Sequence, residues 1–272
     1  MKIFTFQGGL GNQMFQYTYY RYLKSKYPKE KFYGFYPEVG LKAHNGLEIN
    51  KWFDAELPQS CWFSNLIGRF LYKINLFLFY RGKKMIFTDY DWQRNEGALF
   101  IQGFWQDKQY VEAVGAPSIK ENLVIDEENK RLIEILSQKN SVAIHVRRGD
   151  YTDPEVQHIY GGICTPEYYN KAIELIKEKV DSPRFFFFSD EPEYVKQNFH
   201  VDNMEIVSHN VGDKSFYDLL LMSNASNMVL ANSTFSCWGA YLNKKVDVVI
   251  SPSKIRNDKK SPDILRESWL KI

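Results

Sequence analysis

The stretch "SVAIHVRRGDYTDPE", residues 141–155, determines how the second half of the chain is interpreted. Its opening run, "SVAIHV", is mostly apolar, which is typical of a strand covered on both faces in a parallel sheet. Two adjacent arginines, Arg147 and Arg148, follow at once, and their like charges repel each other. A bound anion would relieve that repulsion, so the stretch indicates a buried strand leading into an anion-binding loop.

Similar short apolar runs recur through the rest of this half, with helical patterns between them. One such helix has Thr165 at its N-cap and Pro166 at its first position. Strand alternating with helix predicts an α/β fold with a doubly wound parallel sheet, in which ligands bind beyond the carboxyl ends of the strands. The predicted strands are 141–146, 184–189, 204–208, 227–231 and 246–251, and the polar residues that follow the first four are Arg147, Asp190, His209 and 232–234.

The first half of the chain begins with a strand, glycine turn and helix. "KIFTFQ" predicts the strand, "GGLGNQ" the turn, and "MFQYTYYRYLKSKY" the helix. The turn is not a phosphate-binding P-loop, because no Lys-Ser/Thr pair follows the glycines, and no acidic ribose-binding residue follows at the usual spacing. Later, "ALFIQGFWQ" predicts a strand and "DEENKRLIEILSQK" a helix. We place the domain boundary at Lys139–Asn140, which gives domains 1–139 and 140–272.

Composition restricts the classes of function. The net charge is only +2, from 35 basic and 33 acidic residues, so a general attraction to nucleic acid is excluded and any anion site must be local. Cys61, Cys164 and Cys237 are far apart and without CxxC spacing, which predicts reduced thiols and neither a disulfide framework nor a zinc site. Met1 leads directly into the first predicted strand, so we expect no signal peptide.

Residues 61–82 are rich in apolar side chains, but Asn65, Arg69, Lys73 and Asn75 make the segment too polar to span a bilayer. The pattern favours an amphipathic helix docked on the core, and contact with a membrane surface or a partner is the less favoured alternative. Further on, Asp89-Tyr90-Asp91 resembles an acidic metal-binding pair, but no companion ligands accompany it, which favours a surface turn.

The two arginines are expected to have different partners. Because alternate residues of a strand share a face, His145 and Arg147 point one way and Arg148 the other. One arginine is predicted to meet a ligand, and the second to anchor the loop by pairing with a carboxylate such as Asp150. The alternative is that both are structural ion-pair partners.

A second candidate anion-binding feature is "ANSTFSCWGAYLN", where a strand ends and a helix begins immediately. Free backbone N–H groups at the helix start, with the hydroxyls of Ser233, Thr234 and Ser236, would suit a phosphate. An ordinary N-cap explains the same residues, so both interpretations stay open.

Four segments, "GGLGNQMFQY", "HVRRGDY", "FFFFSDEPEYV" and "NSTFSCWGAYLN", taken together resemble the α-1,2-fucosyltransferases of glycosyltransferase family 11. The resemblance runs from the first strand to about Asn243. It implies a GT-B fold, with two Rossmann-like domains facing a cleft and the C-terminal domain holding GDP-fucose. It also implies inverting transfer of L-fucose to the 2-hydroxyl of a terminal galactose on an oligosaccharide or glycolipid, with no metal and no cofactor.

The resemblance also implies roles for individual residues. Arg147 would hold the β-phosphate of GDP, His145 would lie against the nucleotide, and Asp218 would accept hydrogen bonds from guanine. For the acceptor's proton, Asp150 is the first candidate base and Glu155 the second, although an oxocarbenium-like reaction needs little base assistance. The remaining expected GDP-fucose contacts are Arg148, Asp190, Ser233, Thr234 and Phe235, with Asn12 and Gln13 from the opposite domain.

Two other hypotheses remain open: a glycosyltransferase with a different donor, and a non-catalytic glycan-binding module. The expected setting is the bacterial cytoplasm, in the biosynthesis of a polysaccharide or O-antigen unit. There the expected partners are GDP-fucose and a galactose-terminated glycan, with a lipid-linked acceptor and peripheral contact with the inner membrane as further expectations. Neither the exact acceptor nor the oligomeric state is encoded in a pattern of this sequence.

Overall fold

The computed structural model describes residues 1–42, 44–83, 98–258 and 260–272, which form two compact units, Met1–Leu123 and Val124–Ile272. The predicted boundary at Lys139–Asn140 is therefore too late in the chain. The charged helix before it belongs to the second unit, because its apolar side, with Leu132 and Leu136, is buried there. The predicted turn at Asp89-Tyr90-Asp91 lies outside the described residues.

The first unit contains a sheet whose described strands are parallel and ordered β2-β1-β3. The chain forms β1 (Lys2–Thr5), α1 (Leu10–Lys26), β2 (Phe32–Phe35), α2 (Glu38–Lys42), α3 (Ile49–Trp52), α4 (Trp62–Tyr80), β3 (Phe100–Ile101) and α5 (Lys108–Val114). The predicted strand, turn and helix at the start are confirmed, and Gly8 makes the turn with a φ of +78°. The segment predicted as a strand over 98–106 pairs only at Phe100–Ile101, and Trp105 beyond it has a left-handed φ of +54°.

The second unit is a doubly wound α/β domain, as predicted. Its described strands are all parallel and follow the order β6-β5-β4-β7-β8-β9. The chain forms α6 (Glu127–Leu136), β4 (Ser141–Val146), α7 (Pro154–Tyr160), α8 (Pro166–Lys179), β5 (Arg184–Ser189), α9 (Pro192–Asn198), β6 (Met204–Val207), α10 (Phe216–Met222), β7 (Asn227–Val229), α11 (Thr234–Leu242), β8 (Val248–Ser251) and β9 (Leu270–Lys271).

Burial of the central strands explains why their sequences are almost continuously apolar. All six residues of β4 are buried, and so are the four consecutive phenylalanines of β5, residues 185–188. Each such side chain contributes about 1.5–3 kcal/mol relative to an exposed one. Helix α8 is capped as predicted, because Thr165 accepts a hydrogen bond from the Tyr168 N–H at 3.4 Å. These strands form a rigid platform whose carboxyl edge carries the polar residues.

Candidate active site

Arg147 lies at the carboxyl end of the central strand β4 and is held by two carboxylates. Strands β4 and β5 end level, because Val146 pairs with Ser189, so the next residues, Arg147 and Asp190, are neighbours. The Arg147 Nη1 donates to Asp190 Oδ2 at 2.6 Å, and Nη2 donates to Asp150 Oδ1 at 2.5 Å. A guanidinium has five N–H donors, so this fixed group can still bind an anion.

Electrostatics keep this arginine charged although it is only 31% exposed. Burial opposes its charge, but Asp190 and Asp150 outweigh it and raise the pKa of Arg147. Burial raises the pKa of the Asp190 carboxyl, and the adjacent Arg147 cation acts in the opposite direction. The guanidinium also lies over the ring of Tyr151, 5.6 Å from its centroid. The result is a half-buried cation whose position is set before any ligand arrives.

Arg148 has the contacts of an anchor for the same loop. Its Nε donates to Glu191 at 3.3 Å, its guanidinium lies 3.8 Å from the ring centroid of Tyr194, and its backbone N–H donates to Asp190 at 3.0 Å. An anchoring role for the second arginine was predicted, but the expected partner was wrong. The 3-10 turn Gly149–Thr152 brings Asp150 to Arg147, and Glu191 pairs with Arg148 instead.

Gly149 allows Asp190, the acidic residue that follows β5, to come close to the arginine loop. Its φ is +26°, and a Cβ at this position would lie 2.5 Å from Asp190 Oδ2. A real Cβ essentially never comes that close to another heavy atom. The glycine of the "RRG" motif is therefore required by the close approach between the loop and the carboxylate that holds Arg147.

His145 is buried within β4 and is neutral at physiological pH. Burial, reinforced by the nearby Arg147 charge, lowers its pKa to about 3. Its ring centroid lies 5.8 Å from that of Phe235, and its Nδ1 has no hydrogen-bond partner among the described residues. The neutral ring and Phe235 form an aromatic wall next to the arginine loop.

The start of α11 lies beyond β7, the strand next to β4. Ser233 is its N-cap and accepts a hydrogen bond from the Phe235 N–H at 3.3 Å, while Thr234 is half-buried at the first helical position. The Tyr151 hydroxyl donates to the Asn232 carbonyl at 3.1 Å and so links this turn to the arginine loop. The predicted hydroxyl of Ser236 does not face a ligand, because it is buried and bonds to backbone carbonyls.

A third polar group follows β6 and surrounds Asp218. Its Oδ1 accepts a hydrogen bond from Asn210 at 2.9 Å, Asn210 pairs with Asn129, and Asn129 also contacts His209 at 3.1 Å. Burial raises the pKa of Asp218 to about 7, and the hydrogen bond from Asn210 opposes that shift. Sequence reasoning missed Asn129 and Asn210. The available signal for Asn210 was its position two residues after the predicted strand 204–208.

Other predicted site residues are placed as follows. Glu155 is exposed in the first turn of α7, whereas Asp150 contacts Arg147 directly. In the first unit, Asn12 is half-buried and accepts a hydrogen bond from Gln106 at 2.8 Å.

The predicted ligand contact of Gln13 needs correction. Its side chain is 0% exposed, donates to the carbonyls of Gly8 and Gly46, and accepts from the N–H groups of Glu48 and Ile49. With no exposed atom and four backbone partners, Gln13 holds the glycine turn in shape and leaves no group for a ligand.

Two further findings concern the described part of the chain. It contains no group of three or more His, Cys, Asp or Glu residues placed to hold a metal ion. Among its helices, none combines the length and the apolar character that a membrane crossing requires.

Two known glycosyltransferases are similar to this chain in sequence. The α-1,2-colitosyltransferase of Escherichia coli is 32% identical over 97% of this chain and 96% of its own length. The galactoside α-(1,2)-fucosyltransferase 1 of Ateles belzebuth is 26% identical over 37% of this chain and 28% of its own.

Among solved structures, NodZ α-1,6-fucosyltransferase soaked with GDP-fucose superposes with a TM-score of 0.52 at 12% identity, covering 92% of this chain and 94% of NodZ. At this identity the likeness concerns the fold alone, and it confirms the predicted GT-B class. The profile of glycosyl transferase family 11 matches residues 78–272, most of the chain. The chain therefore belongs to glycosyl transferase family 11.

Proposed function

We propose that this protein is an inverting glycosyltransferase that moves L-fucose from GDP-fucose to the 2-hydroxyl of a terminal galactose. The observation that carries the proposal is the Arg147 guanidinium, fixed by Asp190 and Asp150 at the end of the central strand. Family membership supports glycosyl transfer, and the similarity to a galactoside α-(1,2)-fucosyltransferase supports this donor and linkage.

The proposed role of Arg147 follows from where charge develops. As the bond between the sugar and the β-phosphate breaks, negative charge builds up on the departing GDP. A cation already in position, with the N–H groups at the start of α11, stabilises that charge more in the transition state than in the ground state. Ser233 and Thr234 would add contacts to the diphosphate. Because these positive groups come from the chain itself, we propose that the reaction needs neither a metal ion nor another cofactor.

The base of the donor would be recognised at the cluster that follows β6. Guanine presents N–H donors on one edge, and an ionised Asp218 can accept them while Asn210 holds its other oxygen. His145 is neutral and lies beside Phe235, so it can pack against the nucleotide without adding charge. The strand order β6-β5-β4-β7 supports this arrangement, because β6, which precedes the Asp218 cluster, and β7, which precedes α11, lie on opposite sides of β4.

The acceptor hydroxyl must lose a proton as it attacks. Asp150 remains our first candidate base: one of its oxygens is bonded to Arg147, and its side chain is 58% exposed and open to an acceptor. Glu155 is the second candidate, and Asn12 in the first unit remains a candidate substrate contact. An oxocarbenium-like transition state lowers the need for a base, whether Asp150 or Glu155.

A second candidate donor is GDP-colitose, and a specific observation favours it. The E. coli α-1,2-colitosyltransferase matches nearly the full length of this chain. Colitose is L-fucose without the 3-hydroxyl, so the two donors differ in a single polar group. A site built to hydrogen-bond that hydroxyl rejects the deoxy sugar by about 10⁴- to 10⁵-fold. Comparing the two donors therefore tests directly whether the 3-hydroxyl is recognised.

The setting of the reaction is part of the proposal. The three cysteines are free, with Cys61 and Cys164 partly buried and Cys237 fully buried, which suits a reducing compartment such as the cytoplasm. A galactose-terminated glycan, free or carried on a lipid, would be the acceptor.

The first experiment is calorimetric titration with GDP, ADP and UDP, in EDTA and then in magnesium, followed by transfer assays with both donors. We expect GDP to bind in EDTA more tightly than ADP or UDP. Arg147→Ala should lower kcat by about 10²- to 10³-fold. The matched control is Arg184→Ala, which removes an ion-paired arginine at the amino end of β5 and should leave turnover unchanged.

Three outcomes would contradict the proposal. Failure of GDP to bind would contradict the proposed donor. GDP binding that requires magnesium would contradict the proposed metal-free mechanism. Intact glycan binding without turnover of either donor would instead favour a glycan-binding module.

A further inference from the structure

Helix α4 (Trp62–Tyr80) carries large apolar side chains on both its docked side and its exposed side. On the docked side Tyr72 is buried and Ile67, Leu71 and Leu76 pack on the core, beside the buried Ser64, Gly68 and Asn75. Its opposite side exposes large apolar and aromatic side chains. The exposed fractions are 78% for Trp62, 65% for Leu66, 65% for Phe70, 54% for Phe77 and 81% for Tyr80. An ordinary helix docked on a core exposes mainly polar residues on its outer side, so these exposed apolar side chains are unusual.

Specific contacts fix this orientation. The Ser64 hydroxyl donates to the Gly34 carbonyl at 3.0 Å, and the Asn75 amide donates to Gln102 at 2.8 Å. At Gly68 a Cβ would lie 2.5 Å from the Phe35 ring, so only glycine permits this close packing on β2. The helix cannot rotate its aromatic side inward without breaking the buried hydrogen bonds. The sequence-based expectation of docking is confirmed for Ile67, Leu71 and Tyr72, whereas the apolar residues on the opposite side stay exposed.

Basic residues accompany the exposed apolar side chains. Arg69 and Lys73 are exposed on the same side of the helix, and the Arg81 guanidinium lies 4.4 Å from the centroid of the Phe77 ring. No acidic residue occurs in the sequence between Glu56 and Asp89. We call the side formed by Trp62, Leu66, Arg69, Phe70, Lys73 and Phe77 the exposed face of α4.

One carboxylate from another element lies near the exposed face. Glu38 of α2 is close enough to Arg69 for the two charges to interact. It is already paired with Lys42 at 2.8 Å, so it does not cancel the positive charge of α4. Within the described ranges, Arg69 and Lys73 form no salt bridge, so the exposed face combines aromatic rings with cations that are at most weakly compensated.

This chemistry matches an anionic lipid surface better than it matches protein. Aromatic rings favour the level of the lipid headgroups, and each nearby lysine or arginine is attracted to anionic lipids. A second copy of the chain would bring this basic face against an equally basic face, because a two-fold interface pairs identical surfaces. The helix is also unsuited to crossing a bilayer, which leaves it lying along the membrane surface.

We propose that the exposed face of α4 binds the surface of an anionic membrane, with the helix in the plane of the headgroups. The aromatic side chains enter the interface, and Arg69 and Lys73 contact lipid phosphates. The binding is independent of the proposed transferase activity, since none of these residues belongs to the arginine loop, the start of α11 or the Asp218 cluster. A failed activity assay would therefore not contradict membrane binding. Failure to bind membranes would likewise not contradict the proposed transferase activity.

The test is sedimentation of the purified protein with vesicles of phosphatidylcholine, with or without 30 mol% phosphatidylglycerol. Wild type should bind the anionic vesicles and release them as salt rises. Arg69→Gln with Lys73→Gln removes two cations and should weaken binding by about 30-fold, at about 1 kcal/mol per charge. Trp62→Ser with Phe70→Ser should weaken it by about tenfold or more.

Matched controls carry the same chemical changes elsewhere. Val124→Ser with Val211→Ser removes two side chains that are 86% and 71% exposed, and Lys171→Gln with Lys179→Gln removes two exposed cations. Both control proteins should sediment with the vesicles as wild type does. Circular dichroism should be unchanged in all four variants, since every substituted side chain is exposed.

Three results would overturn the proposal. The first is wild type that stays in the supernatant with anionic vesicles at low salt. The second is α4 variants that bind as tightly as the controls. The third is a dimer by light scattering that dissociates in Trp62→Ser with Phe70→Ser, which would identify a second copy of the chain as the occupant of this face.

Discussion

Replacing Gly149 with alanine tests whether the loop geometry is what holds Arg147. The substitution has two separable costs. A left-handed alanine is strained by about 1–2 kcal/mol. In addition, the new Cβ would lie 2.5 Å from Asp190 Oδ2, the atom that accepts the 2.6 Å hydrogen bond from Arg147. Displacing that oxygen would lose a charge-assisted hydrogen bond, which contributes about 1.5–3 kcal/mol.

Gly162 provides the matched control. Its φ of +68° carries the same kind of strain, but a Cβ there would meet nothing within 4 Å. Gly162→Ala should therefore lower the free energy of unfolding by only about 1–2 kcal/mol. Gly149→Ala should lower it by about 2.5–5 kcal/mol, the sum of the strain and the lost hydrogen bond.

Two assays separate the costs: urea unfolding for stability and calorimetry for GDP affinity. Gly149→Ala should bind GDP at least about tenfold more weakly, equivalent to 1.4 kcal/mol, because the guanidinium is no longer preorganised. Gly162→Ala should bind GDP as wild type does. If the two variants had equal GDP affinities, the close approach of Gly149 and Asp190 would not be what positions Arg147.

Two further predictions concern buried polar groups. The pKa of Asp218 is about 7 when folded, above the value of about 3.9 expected when unfolded. Its contribution to stability is therefore complete below pH 4 and lost as the pH rises through 7. Asp218→Asn should flatten that decline in urea unfolding between pH 5 and pH 8, and an unchanged slope would refute the assignment. Gln13→Ala leaves two backbone N–H groups without their acceptor and should lower the free energy of unfolding by about 2–4 kcal/mol, whereas the half-buried Asn12→Ala should cost less than about 1.5 kcal/mol. Equal losses in the two variants would mean that the buried bonds of Gln13 do not support the turn.

Much of the second unit could be predicted because its signals are local. The ranges of β4 and β5 were predicted to the residue, since continuous apolar runs bounded by polar residues directly report strands buried on both faces. The cap at Thr165 is equally local, because the side chain and its partner are three residues apart. The alternation of these elements then required a parallel sheet and placed the site at the carboxyl ends of its strands.

The pairing of charges was decided by tertiary structure. Arg147 and Asp190 are neighbours only because β5 lies beside β4 in a register that ends both strands level. The choice between Asp150 and Glu191 as the partner of each arginine depended on the path of the 3-10 turn. Sequence alone offered Asp150 as an example of a carboxylate that could pair with the anchoring arginine, and the structure pairs Asp150 with Arg147 instead.

The sequence also did not predict which way side chains of the first unit point. Gln13 reads as an exposed polar residue beside a glycine turn, yet four backbone groups from distant segments enclose it. In α4 the apolar content predicted docking, but only the fold decided which apolar residues dock: Tyr72 packs on Phe35 of β2, whereas Phe70 is exposed. A sequence pattern reports which residues favour burial and which favour a given backbone conformation. The partner of each residue depends instead on strand order, register and neighbouring surfaces, which exist only in the folded chain.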